Sequence, residues 1–366
     1  MSDQPLRAKT HLLGLEAGRF MAALLVCCYH FSLAFHNLRD GDILDMAFHG
    51  GHAGVDYFFV LSGFIIFHVH RLDLGIKDKL RPFLLKRFFR IYPLYWAIFA
   101  AMLTMFLIMP SLGRGREFDL FNLIPDAALL PTPGDIIVLQ SWSLRHELIF
   151  YAIFGLAIMN RRIGVATFIA WQIGCLIIGL LHPNDLGPLI KPFFYIYNLG
   201  FGIGVATAWC VERWHVPRAS WLGVVGLLGF IIAMWLEWKI GRHMEEGILP
   251  LGDIASPAIF MACSALIIFG VTQYERVGRL PIPDLLKLLG GCSYCLYLIH
   301  APLGSVLIRI SKVGALRHIP NLPIFVAMVA ITVAASIAVH LMIEKPFLAY
   351  ARKRWINRSN ARMAMG

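Results

Sequence analysis

Arg19 and His30 stand eleven residues apart in the first long apolar stretch of the chain. On a helix that spacing is three turns plus about 20°, so both side chains share one face about 16 Å apart. An ionisable group inside a membrane-length helix is unfavourable, and its default reading is functional. A fixed cation at one end and a proton-transfer group at the other describe chemistry conducted across a membrane. Two further apolar segments add carboxylates: Asp56 in GVDYFFVLSGF at 54–64, and Glu147 in SWSLRHELIFY at 141–151. His30, Asp56 and Glu147 are expected at one depth, in a polar pocket where an imidazole takes a proton and carboxylates orient it. Asp56 reads equally well as an interfacial carboxylate hydrated by the preceding loop. Glu147 has a plainer reading too, as a partner for Arg145.

The elements that must hold these groups are membrane helices. The 366-residue chain is 58% hydrophobic and 15% charged, against roughly 25% charge in soluble domains. Apolar runs recur near the ~20 residues that span hydrocarbon, at 12–35, 51–70, 91–110, 142–160, 163–181, 193–211, 219–238, 254–272, 288–309 and 322–343. The expectation is an all-α polytopic membrane protein of about ten transmembrane helices. It would form one membrane domain over 1–366, with short tails at 1–11 and 345–366. Lys and Arg concentrate in the segments that are cytoplasmic if both termini lie inside, although Arg309, Lys312 and Arg317 run against that bias. The net charge of +11 thus reflects orientation and membrane lipids as partners, and no motif supports nucleic acid. Arg19 interrupts the first span and no cleavage site follows, so it reads as a retained helix rather than a signal peptide.

The most basic segment ends Lys86-Arg87-Phe88-Phe89-Arg90. Arg87 and Arg90 are three apart, so on a helix they point the same way and can grip one phosphate. Attraction to anionic lipid is the plainer reading. Pro93 fits the first turn of the third span, with Tyr92, Tyr95 and Trp96 as an aromatic belt. The ninth span carries Ser293, Tyr294, Tyr297 and His300, the last better read as a hydrogen-bonded packing histidine. The tenth ends Glu344-Lys345-Pro346, a proline stop. The seven cysteines lie in apolar segments, and Cys292-x-x-Cys295 has no second pair, so they read as small hydrophobes. His36, His49 and His52 lack metal-ligand spacing and read as loop residues; no metal is expected. Gly54 and Gly63 read as sites of close helix approach.

Taken in order, these segments resemble the integral-membrane acyltransferase family 3, which O-acylates cell-surface polysaccharides and related acceptors. The resemblance rests on Arg19 with His30, GVDYFFVLSGF at 54–64, Arg87-x-x-Arg90 leading into RIYPLYW, WSLRHELIFY at 142–151 and SYCLYLIH at 293–300. Only a short basic tail follows the last span, as in stand-alone members. The resemblance implies a bacterial inner-membrane enzyme that draws an acyl group, commonly acetyl, from cytoplasmic acyl-CoA. The acceptor would be a glycan or lipid-linked saccharide, and no cofactor would be bound permanently. His30 is then the general base, with Glu147 or Asp56 holding its tautomer. Arg19, Lys86, Arg87 and Arg90 are expected to hold the donor, and Trp142, Ser143, Tyr151, Ser293, Tyr294 and Tyr297 to line the substrate pocket. Two alternatives stand beside this: the same chemistry on a small hydrophobic acceptor such as a macrolide or lipid, and a transporter of lipid-linked sugar. The transporter lacks the internal repeat and paired broken helices its class displays.

Overall fold

Lipid offers no partners for backbone N–H and C=O groups, so apolar runs of this length must satisfy them internally as helices. The computed structural model describes residues 12–356 apart from 40, 114, 182–185, 215, 217–218, 242–250 and 278–282. Among the described residues there are ten long helices and no strand: α1 (Leu13–Arg39), α2 (Gly54–His70), α3 (Leu80–Ile108), α4 (Ser141–Met159), α5 (Arg161–Leu181), α6 (Leu199–Arg213), α7 (Ser220–Gly241), α8 (Ala255–Arg276), α9 (Asp284–Ile310) and α10 (Asn321–Val339). The expected tail at 1–11, and residues 357–366 of the expected tail at 345–366, lie outside the described residues.

Among the described residues, eight helical stretches are long and apolar enough to cross a membrane, and the chain is a multi-pass membrane protein. The expected ten spans include two that fall short of this. The fifteen residues of α6 reach only about 22 Å, against ~30 Å of hydrocarbon. In α4, Arg145, His146 and Glu147 interrupt a nineteen-residue helix.

Two expected boundaries move. Helix α3 begins at Leu80, so Lys86, Arg87 and Arg90 lie on the helix and Pro93 falls in its interior rather than its first turn. Past α10 the chain does not stop at Pro346: a π-turn over His340–Glu344 leads into another helical segment, Lys345–Ala351. The wide turn comes immediately before the proline, which therefore sits in the first turn of the renewed helix, where a missing N–H loses nothing.

Helix α1 packs along α9, α2 along α6, and α7 along α8. Close approach is built on glycine as expected. A Cβ on Gly63 would fall 2.2 Å from the Phe201 carbonyl oxygen, and one on Gly54 would fall 2.3 Å from that of Ala22.

The connection from α3 to α4 folds back along the bundle. Tyr92 Oη donates to Ala128 O at 2.9 Å, Tyr95 Oη to Asp126 O at 2.7 Å, and Trp96 Nε1 to Ala127 O at 2.9 Å. The aromatic residues read as an interfacial belt thus satisfy the last carbonyls of a short helix, Leu120–Ala127. Trp96 stands twelve residues before the end of α3, so the connection descends about 18 Å before α4 begins. Asp126 locks it in place, accepting from Arg145 Nη2 at 2.8 Å and from the Ile137 N–H at 2.7 Å. Burial raises the Asp126 carboxyl above its ordinary range, opposed by those two donors.

Candidate active site

Two cavities open between these helices, and they differ in chemistry. The first is lined by Arg19 from α1, Arg87 and Arg90 from α3, Glu147 and Tyr151 from α4, and Ser293, Tyr294 and Tyr297 from α9, with Ser62, Ser143 and apolar residues completing it. Its free space is about 190 Å³. Arg87 and Arg90 face it together because they are one helical turn apart; Lys86, rotated about 100° from Arg87, is exposed and not part of the lining. Arg90 forms an ion pair with Glu344, whose other oxygen accepts from His340 Nδ1 at 2.7 Å and Cys295 Sγ at 3.1 Å. The Arg90 guanidinium lies over the Tyr294 ring, 5.1 Å from its centre, and that of Arg87 over Tyr151 at 5.6 Å. Among the described residues no ion pair ties down Arg19. Glu147 accepts from Ser62 Oγ at 3.1 Å and from Tyr151 Oη.

Cys295, His340 and Glu344 are close enough together to hold a metal ion. Their donor atoms instead satisfy one another, and the adjacent Arg90 cation opposes a second positive charge.

The second cavity is lined by Val26, Tyr29 and His30 from α1, His49 and His52 from the turn before α2, Gln140 and Trp142 at the start of α4, and Tyr197. Val55 and Tyr297 line both cavities and form the wall between them. Tyr297 is fixed by a 2.7 Å hydrogen bond between its hydroxyl and Ser143 Oγ. Around His30 the hydrogen bonds specify which nitrogens carry protons. Fully buried His300 donates Nδ1–H to Leu296 O at 3.1 Å, leaving its Nε2 as acceptor. That Nε2 lies 3.2 Å from His30 Nδ1, which also faces Val26 O at 2.9 Å. With its proton on Nδ1, His30 keeps the lone pair on Nε2, the form a general base requires.

The expected convergence of His30, Asp56 and Glu147 at one depth needs correction. His30 lines the histidine-rich cavity and Glu147 the arginine-rich one. Glu147 is deeper than its place in α4 suggests, because the folded-back connection starts that helix below the end of the bundle. Asp56, fully buried in the first turn of α2, lines neither cavity, and no hydrogen-bond partner is present for either carboxylate oxygen among the described residues. Arg145 pairs with Asp126 rather than with Glu147. Of the other expected pocket residues, Ser143, Tyr151, Ser293 and Tyr294 line the arginine cavity, Trp142 the histidine cavity, and Tyr297 both.

Residues 12–341 match the family model described as an acyltransferase domain. The chain belongs to this acyltransferase family. It is an enzyme of acyl transfer. Relatives match over most of its length. The exopolysaccharide production protein ExoZ of Rhizobium meliloti strain 1021 is 28% identical over 83% of this chain and 92% of its own. Acyltransferase MdmB of Streptomyces mycarofaciens is 27% identical over 94% of this chain and 93% of its own. YrhL of Bacillus subtilis strain 168, provisionally named a peptidoglycan O-acetyltransferase, is 25% identical over 95% of this chain and 57% of its own. No solved structure matches.

In this acyltransferase, sequence reasoning passed over His49 and His52, whereas His300, read as a hydrogen-bonded packing histidine, is buried and bonded to Leu296 O and His30. The first two were tested only against metal spacing, although His-Gly-Gly-His, one residue before the Gly54-Val55-Asp56 motif, already placed two imidazoles at the mouth of α2. Gly51 makes that placement possible: a Cβ there would lie 2.5 Å from Leu25 O, so the turn rests directly on the α1 backbone.

Proposed function

We propose that this enzyme O-acylates a hydroxyl of a surface or lipid-linked glycan, using acyl-CoA held in the arginine cavity and delivering the acyl group into the histidine cavity. The observation that carries the reading is the shared wall: a cationic cavity and an imidazole cavity meet at Val55 and Tyr297. Guanidinium groups at fixed spacing suit the phosphates of a nucleotide-bearing thioester. The pantetheine arm is then directed along α1, whose Arg19 and His30 are separated by about 16 Å.

Acyl transfer to a hydroxyl needs a base as the oxygen attacks the thioester carbonyl. His30 Nε2 takes the hydroxyl proton, the C–O bond forms, the C–S bond breaks, and the thiolate recovers the proton. General-base help of this kind contributes about 10²–10⁴-fold. A glycan acceptor is supported by the names of ExoZ and YrhL and by the aromatic and polar side chains of Tyr29, Trp142, Tyr197 and Gln140 around the second cavity. Both termini on the cytoplasmic side of a bacterial inner membrane would put the donor and acceptor cavities on their proper sides.

The test is purified protein in detergent with radiolabelled acetyl-CoA and glycan from the parent strain. Label appearing as an alkali-labile ester on the glycan is the expected result. Consumption of no donor and labelling of no glycan, with the protein folded, would reject this donor and acceptor and favour acyl transfer to a small hydrophobic acceptor.

A further inference from the structure

His52 has what His30 lacks, a buried carboxylate. Its Nε2 lies 2.7 Å from Glu237 Oε2, and Glu237, on α7, is fully buried. The other Glu237 oxygen accepts from Ser256 Oγ on α8. Two helices therefore supply a counter-charge and its support to one imidazole, which lines the same cavity as His30. His49, the remaining imidazole of that wall, has no carboxylate partner among the described residues.

His30 and His52 are thus held in different ways. His30 meets a carbonyl and a neutral imidazole, surroundings that favour an uncharged ring able to accept a proton. His52 is held instead through its Nε2 by the Glu237 carboxylate. Two titratable groups in one site with contrasting surroundings are the usual sign of a divided base and donor role.

We propose that His52, held by Glu237 and Ser256, is a second catalytic residue that acts with both ring nitrogens protonated: Nε2–H rests on Glu237, and Nδ1–H donates to the thioester carbonyl oxygen as that oxygen becomes an oxyanion. The inference rests on the acyl-transfer reading above and adds the electrostatic half of the step. The acceptor oxygen attacks, its proton passes to His30 Nε2, and the carbonyl π electrons move onto oxygen, where His52 holds them. Collapse then expels the thiolate, which takes the proton back from His30. Glu237 and Ser256 are positioning residues, since they act through His52. Preorganised donors of this kind are worth about 10²–10³ in kcat.

The experiment measures kcat, KM for acetyl-CoA and Tm for His52→Gln, Glu237→Gln and Glu237→Asp beside wild type. His52→Gln and Glu237→Gln are expected to lower kcat about 10²-fold or more with donor KM and Tm unchanged, and Glu237→Asp is expected to recover part of the loss. Wild-type turnover in both His52→Gln and Glu237→Gln overturns the assignment. So does a loss that moves donor KM or Tm in step with kcat, because the pair would then only fasten the turn to α7. A wild-type enzyme that transfers nothing overturns the acyl-transfer reading itself, which is a different outcome from an active wild type with indifferent variants.

Discussion

The arginine cavity and the histidine cavity share a wall and little else. One gathers Arg19, Arg87 and Arg90 beside Glu147, with ring faces under two of the guanidinium groups. The other gathers His30, His49 and His52 among Tyr29, Trp142 and Tyr197. Fixed cations hold an anionic ligand without changing protonation, whereas imidazoles exchange protons near neutral pH. A membrane enzyme that joins a charged donor to a neutral hydroxyl needs both environments, and needs them apart. Arginines beside the imidazoles would disfavour the imidazolium that forms during transfer.

This contrast can be broken one side at a time. The largest effect is expected at His30: His30→Ala should lower kcat by about 10²–10⁴ while donor KM stays near wild type. A drop in donor affinity of the same size would merge the two cavities functionally. Next is the support behind the second cavity. Asp126→Ala removes one partner of a buried pair, which typically destabilises by about 3–5 kcal/mol, and the segment it anchors carries Gln140 into the histidine cavity. Thermal unfolding should show the loss, and any surviving protein should be weaker in turnover than in donor binding. On the other side, Arg87→Ala combined with Arg90→Ala should raise donor KM about tenfold or more, since a hydrogen bond to a charged group is worth about 1.5–3 kcal/mol. Arg90→Lys separates phosphate binding from the pairing with Glu344, and an unchanged donor KM in the double variant would leave the arginines a topological role only. The smallest effect belongs to the wall. Tyr297→Phe removes the bond to Ser143, worth about 0.5–1.5 kcal/mol, and is expected to change turnover several-fold at most, detectable as unproductive thioester hydrolysis.

Much of the helical framework was legible because lipid leaves an apolar run one backbone solution. Arg19 and His30 were legible for the same reason: both lie on α1 and each lines a cavity. The pairing of Arg87 with Arg90 followed from helical spacing alone. Depth was harder. Glu147 was placed near a surface because its helix was assumed to start there, and only the hydrogen bonds of Tyr92, Tyr95 and Trp96 to the short helix before α4 reveal that it does not. Those bonds join residues more than thirty positions apart, a separation that local pattern does not report. His52 was missed for a related reason. Its partner Glu237 is 185 residues away, so nothing local distinguishes this histidine from one in a solvated loop. Pro346 misled in the opposite sense, since a proline stop and a proline opening a new helical turn look alike until the π-turn before it is seen.

The most direct test of the divided site is donor binding measured in two variants by titration calorimetry with a non-reactive acetyl-CoA thioether. His30→Ala is predicted to bind it like wild type, and the Arg87→Ala, Arg90→Ala double variant to bind it about tenfold or more weakly. Equal weakening in both variants, or weakening confined to His30→Ala, would contradict a donor held by the arginine cavity and a reaction completed in the histidine cavity.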